Sequence, residues 1–273
     1  MLQDHVVVGV DGSVVSTRAL DAAAEESRRR SVPLEIVYAV LDLDAAGPVL
    51  TISADRVAAR HPELPVRLTA MAADPAAALV ARGRKAALAV VGTRALGALA
   101  SLASRSVAQH VAERSSCPLL VVGTGCPTRH AESGEVLFAV GSDDDTEAAG
   151  FAFEEAVRRG VRLRFVHTAH YRTSIGSAPY STAHATGATC PADAAEDHDH
   201  DRIPPVPDSE LITATAGAHV VVIAHRRHLG KGSRHTRTVH ALLHHAHCPV
   251  LLVPVGPTAA GSGTDTGQAP SGR

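Results

Sequence analysis

The sequence predicts an α/β protein made of two tandem Rossmann-like domains, each an open five-stranded parallel sheet with helices on both faces. Three observations carry that prediction. Apolar runs such as HVVVGV (5–10), ALAVVG (87–92) and PLLVVG (118–123) lack polar alternation, as expected of strands covered on both faces. Segments of helical spacing lie between such runs, and strand–helix alternation builds parallel sheets. The whole pattern then recurs. VVVGVDGS (6–13) matches VLFAVGSD (136–143) at an offset of 130, VVGTR (90–94) matches VIAHR (222–226) at 132, and CPLLVVG (117–123) matches CPVLLVP (248–254) at 131. Three matches in one order at nearly one spacing mark a duplicated unit.

In the first copy HVVVGV is the first strand and Asp11-Gly12-Ser13 its turn. STRALDAAAEESRRR (16–30) has helical spacing and leads into the second strand, LEIVYAV (34–40). A helix near 51–60 and a strand over PVRLTAM (65–71) follow. Asp74 and Pro75 read as the N-cap and first-turn residue of AAALVARGR (76–84). ALAVVG is the fourth strand, a helix covers about 106–114, and PLLVVG is the fifth strand. The polar, turn-rich GTGCPTRHAESG (123–134) marks the junction, giving a first domain over 1–126, a linker over 127–134 and a second domain over 135–255. Residues 169–207 are polar and rich in Gly, Pro, Ser and Thr where the first copy has a helix and a strand, so they read as a degraded or disordered insert. Residues 256–273 carry too little apolar surface to fold and read as a disordered tail.

Composition narrows the function classes. The chain has 273 residues, 45% hydrophobic but only 3% aromatic and without Trp, so its cores are built from Ala, Val and Leu. A formal charge of −2 gives no global attraction for nucleic acid or anionic membrane. The start, MLQDHVVVGV, has no basic region, and no run approaches the ~18 apolar residues of a membrane span. Cys117, Cys126, Cys190 and Cys248 are far apart with no CxxC pair, as reduced thiols would be. The expectation is a soluble cytoplasmic protein with no nucleic-acid or membrane partner.

VVVGVDGS, then Ser16, Ala19 and Leu20, then VVGTR, Ser106-Val107 and CPLLVV resemble the universal stress protein family, and the resemblance extends over both halves. It implies an adenine-nucleotide α-hydrolase-like fold and a regulatory role in the stress response rather than an enzyme. It implies pairing of the fifth strands, here within one chain as an intramolecular pseudo-dimer, with a homodimer left open. Members of the family that bind ATP do so through an Asp after the first strand and a loop patterned G-x-x-G-(nine residues)-G-[ST] after the fourth. Carried over residue by residue, Asp11, followed by Gly12, matches the Asp, Gly92 the first glycine and Ser106 the hydroxyl, followed by Val107. Ala95 and Arg105 stand where the other two glycines belong, and Gly97 lies between them. In the second copy Gly141 replaces the Asp, and Ala224, Arg227 and Arg237 replace the glycines. Only Thr238 remains, with Asp143 and Asp144 two and three positions late. The resemblance therefore implies a partly degraded ATP or adenine-nucleotide site in the first domain and a lost one in the second.

The physical demands of such a loop are plain. Unpaired backbone N–H groups at a helix N-terminus hold phosphate oxygens, and glycine lets the phosphate approach. Ala95 adds a methyl group in the way. Arg105 either fills the pocket or supplies a charge-assisted bond in place of lost backbone contacts. Ser106 serves equally as an N-cap without ligand. Gly97 keeps the loop supple.

Thirteen of the 17 histidines lie after residue 135. HRRHLGKGSRHTRTVH (225–240) reads either as a solvated basic loop or as a holder of an anion or an unidentified acidic protein partner. CPADAAEDHDHD (190–201) alternates His and Asp, yet its spacing matches no zinc motif and no metal is expected. His244, His245 and His247 suit the carboxyl end of a helix. Nucleophile elbows, Walker loops and HExxH are absent, so no catalytic residue is nominated. The leading expectation is a regulator with at most one nucleotide site. The alternative is an interaction module of the same fold that binds no nucleotide. A related ATP-using enzyme would need a Ser/Gly-rich motif after the first strand, which DGSVVS does not supply.

Overall fold

The computed structural model describes residues 5–40, 43–44, 46–93, 107–126, 134–142, 145–172, 206–226 and 234–256. The first half runs β1 (Val6–Gly9), α1 (Val14–Arg30), β2 (Leu34–Val40), α2 (Ala46–Arg60), β3 (Val66–Ala72), α3 (Pro75–Gly83), β4 (Leu88–Thr93), α4 (Val107–Arg114) and β5 (Leu119–Gly123). The second runs β6 (Glu135–Ser142), α5 (Thr146–Arg159), β7 (Leu163–Arg172), α6 (Asp208–Ala214), β8 (Ala218–Arg226), α7 (Arg234–His245) and β9 (Val250–Val255). Among the described residues the second half contributes four strands. Most of the expected insert, 173–205, and the tail lie outside them.

The nine strands of the described residues form one sheet in the order β3-β2-β1-β4-β5-β9-β8-β6-β7. Pairing within each half is parallel, and the two halves join where β5 meets β9 antiparallel, with Leu119 opposite Leu252 and Val121 opposite Val250. The unalternating apolar runs have their reason here, because both faces of the sheet are covered. Val6 and Val8 point into the layer filled by α1, α2 and α5, while Val7 points to the layer of α3 and α4. Leu251 and Val253 point to the first layer and Val250 and Leu252 to the second. With so few aromatics, one edge-to-face pair, Phe138 on Phe165 at 5.8 Å and 80°, stands among Ala, Val and Leu packing.

Helix ends follow the local chemistry. Ser13 caps α1 by accepting from the Ser16 N–H, and Asp74 caps α3 by accepting from the Ala77 N–H ahead of Pro75. The helix expected near 51–60 begins earlier, at Ala46, because Gly47-Pro48 falls in its first turn, where proline costs no backbone bond.

A second internal repeat appears in three dimensions. EESRRRSV (25–32) at the end of α1 and EEAVRRGV (154–161) at the end of α5 correspond at an offset of 129. The β5–β9 junction sets the two helix ends against each other. Arg30 reaches both Glu26 and Glu155, and Arg159 reaches both Glu155 and Glu26, the latter at 2.6 Å. None of the four side chains is more than 6% exposed. Burial pushes the Glu26 carboxyl up, but the guanidinium groups of Arg159, Arg30 and Arg29 outweigh it and hold its pKa below the ordinary 4.5.

Candidate functional site

The strand order reverses direction between β1 and β4, so the crevice at their carboxyl ends is the topological switch point of the first half. Val8 pairs with Val90, so the continued register sets Gly92 level with Val10, one residue before Asp11. Asp11 and Gly92, eighty-one residues apart in sequence, thus flank one crevice.

Asp11 is exposed at the mouth. One carboxylate oxygen accepts from the Ser13 N–H at 2.9 Å, and the Asp11 N–H donates to Ser16 Oγ at 3.3 Å. This Asx turn feeds the capped start of α1. Gly12 has φ +79°, a left-handed conformation that glycine adopts without strain. Gly92 is fixed by a different demand. A Cβ there would lie 2.8 Å from the Val15 carbonyl oxygen and 2.7 Å from its Cγ1. The first turn of α1 therefore needs this glycine whether or not a phosphate is bound. Val107 is the first residue of α4 and partly exposed. Ala95, Gly97, Arg105 and Ser106 lie outside the described residues.

The equivalent crevice of the second half lies between β6 and β8, and it is filled. Asp145 is buried, and one of its oxygens accepts from the Gly141 and Ser142 N–H groups at 2.9 and 3.0 Å. The other accepts from Arg226 Nη2 at 2.7 Å, and Arg226 also donates to Ser142 Oγ at 2.8 Å. Thus the backbone donors and the carboxylate at this strand end are consumed internally. Sequence reasoning looked to Asp143 and Asp144, which are outside the described residues, and missed Asp145. A signal was present: the strand repeats at offset 130 but the helix start at 132, Val14 against Thr146, so the turn is two residues longer. Thr238, the hydroxyl that matches Ser106, is buried and donates to Asp208 Oδ1 at 2.9 Å, tying α7 to α6. Of the replaced glycine positions, Ala224 is buried in β8, Arg237 is exposed on α7, and Arg227 is outside the described residues.

Chemistry elsewhere is muted. Burial pushes the thiols of Cys117, Cys126 and Cys248 up, which keeps them protonated and unreactive. Among the described residues no group of three or more His, Cys, Asp and Glu is placed to hold a metal. The His/Asp-rich 190–201 segment and residues 227–233 of the basic loop lie outside them. No helix of the described residues is long and apolar enough to cross a membrane.

A family model described as the universal stress protein family matches residues 3–123 and 133–254. Universal stress protein Rv3134c of Mycobacterium tuberculosis is 33% identical over 172 residues, covering 59% of this chain and 63% of its own length. The chain therefore spans less than two thirds of that relative. Among solved structures, a universal stress protein from Archaeoglobus fulgidus covers 94% of this chain and 100% of its own at TM-score 0.57 and 12% identity, a likeness of fold. A universal stress protein solved in complex with cAMP is 32% identical over 45% of this chain and 99% of its own, at TM-score 0.41.

Proposed function

The chain belongs to the universal stress protein family, and on that premise we propose that it is a regulator whose first half holds an adenine nucleotide, ATP or a relative, in the β1/β4 crevice. The second half serves as a paired partner without a nucleotide. The observation that carries the reading is the contrast between the two crevices. At the first switch point Asp11 stands exposed at the mouth, while at the second the Asp145–Arg226 pair fills the same place. In the first half Asp11 would hydrogen-bond the nucleoside. The loop through Ala95, Gly97, Arg105 and Ser106, with the start of α4 at Val107, would meet the phosphates, Arg105 acting as a cationic clamp. No residue is assigned to chemistry on the nucleotide, so the module senses or transmits rather than turns over substrate, in the cytoplasm.

Mass spectrometry of the purified protein, with thermal melting in ATP, tests this. Co-purifying nucleotide and an ATP-dependent rise in Tm that Asp11→Ala abolishes is the expected result. No nucleotide and no rise in Tm would overturn it. One observation favours a second reading, an interaction module that binds no nucleotide. Gly92 is demanded by Val15 alone and Asp11 already serves the turn, so both residues persist without a ligand.

A further inference from the structure

At the opposite, amino-terminal edge of the sheet lies a second concavity that the nucleotide reading does not use. It encloses about 510 Å3 between the starts of β1, β2 and β3 and the end of α3. Its chemistry comes from His5, Glu35, Arg67, Arg82, Arg84 and Lys85. Glu35 is only 1% exposed on the second position of β2. Its Oε1 accepts from Arg82 Nη2 at 2.5 Å and from Thr69 Oγ1 at 2.7 Å, and its Oε2 lies 3.1 Å from His5 Nε2. Glu35 is therefore a buried anchor that fixes Arg82 in the wall. The Arg82 Nε is buried and has no hydrogen-bond partner among the described residues. Arg67, Arg84 and Lys85 are exposed and make no ion pair among the described residues. Four permanent cations thus face one carboxylate and the partial negative charge, roughly half a unit, of the α3 carboxyl end. The lining stays positive by more than two charges on that count.

From this arrangement we infer that the amino-edge cavity binds a phosphate group, as the free ion or as a small phosphomonoester. A phosphomonoester carries about −1.5 to −2 charges near neutral pH and presents several acceptor oxygens. Guanidinium forks match those oxygens in pairs, and a lysine adds a point charge. The volume suits a small metabolite rather than a polymer, since small-molecule sites run from roughly 300 to 1,000 Å3. The bland alternative is a basic groove that only attracts counterions, which chloride would satisfy equally well.

Calorimetric titration of the full chain with inorganic phosphate and with glycerol 2-phosphate, against chloride at matched ionic strength, separates these. One-to-one binding is expected. It should weaken about tenfold or more in Arg84→Gln/Lys85→Gln, which removes two charge-assisted partners at exposed positions. Arg67→Gln on the opposite wall provides the same test should the double variant fold poorly. Binding should persist in Asp11→Ala, which affects only the other end of the sheet. Tighter glycerol 2-phosphate identifies an ester as the ligand, and tighter inorganic phosphate identifies the free ion. A response reproduced by chloride, one retained in both rim variants, or one lost in Asp11→Ala overturns the inference.

Discussion

Replacing Glu155 by glutamine probes how the two halves are held together. The side chain is fully buried, and its carboxylate is shared by Arg30, Arg159 and Arg158, the last at 3.0 Å. Glutamine keeps the volume and removes the charge. The quartet of Glu26, Arg30, Glu155 and Arg159 then passes from neutral to an uncompensated positive charge in a place water does not reach. Removing one member of a buried ion pair costs about 3–5 kcal/mol, far more than the pair itself contributes to stability. At roughly 2–4 °C per kcal/mol for chains near this size, Tm should fall by about 6–20 °C. The neighbouring Glu154→Gln is the control, because Glu154 is 59% exposed and its pair with Arg158 is worth at most about 1 kcal/mol. Thermal and urea melts of both variants give the comparison. Replacing all four quartet residues by Leu and Met should recover most of the loss, since no charge is then left unpaired. If Glu155→Gln costs no more than Glu154→Gln, the argument from buried charge is wrong.

Three further outcomes follow from the same geometry. Gly92→Ala should destabilise the protein by about 1–3 kcal/mol without any nucleotide present, because the added methyl meets the Val15 backbone and α1 must move; an unchanged urea midpoint would return Gly92 to a purely ligand-facing role. Ser31→Gly should raise stability by roughly 1 kcal/mol, because Ser31 closes α1 at φ 54° where Gly160 closes α5 at 65°; a fall in Tm would contradict this. The third concerns acid. Burial opposes ionisation of Glu26, Glu35 and Asp21, yet the arginines beside each win and hold the three pKa values below 4.5, 4.5 and 3.8. The unfolded chain therefore binds more protons there, and the stabilisation is complete above the unfolded values and lost as pH drops through the folded ones. Urea midpoints should hold down to about pH 5 and decline steeply below about pH 4; a flat profile down to pH 3 would refute the assignment.

Much of the architecture was legible because it rests on local pattern. Strands covered on both faces are apolar throughout, and LEIVYAV was readable to the residue as β2. Asp74-Pro75 announced the start of α3 through capping chemistry alone. The duplication was visible from strand ends, whose sequence is constrained by burial. The first-half crevice was legible in part, since Asp11 and Gly92 lie at strand ends and the strand order brings them together.

Tertiary structure decided the rest. In sequence EESRRR is only the end of a segment with helical spacing, because nothing local distinguishes a charge run in water from one pressed against its own repeat. The β5–β9 pairing brings the two copies face to face and turns exposed charges into a buried quartet. Gly92 reads as a loop glycine until α1 is seen to pass within contact distance. Asp145 and Arg226 are unremarkable eighty-one residues apart, and only the β6–β8 pairing makes them a plug. Burial periodicity is written along the chain, so sequence by itself determined the strands of the first half, the presence of the helices between them and the duplication of the pattern. Which charges lose their water depends on contacts between segments far apart in sequence, and only the folded chain sets those.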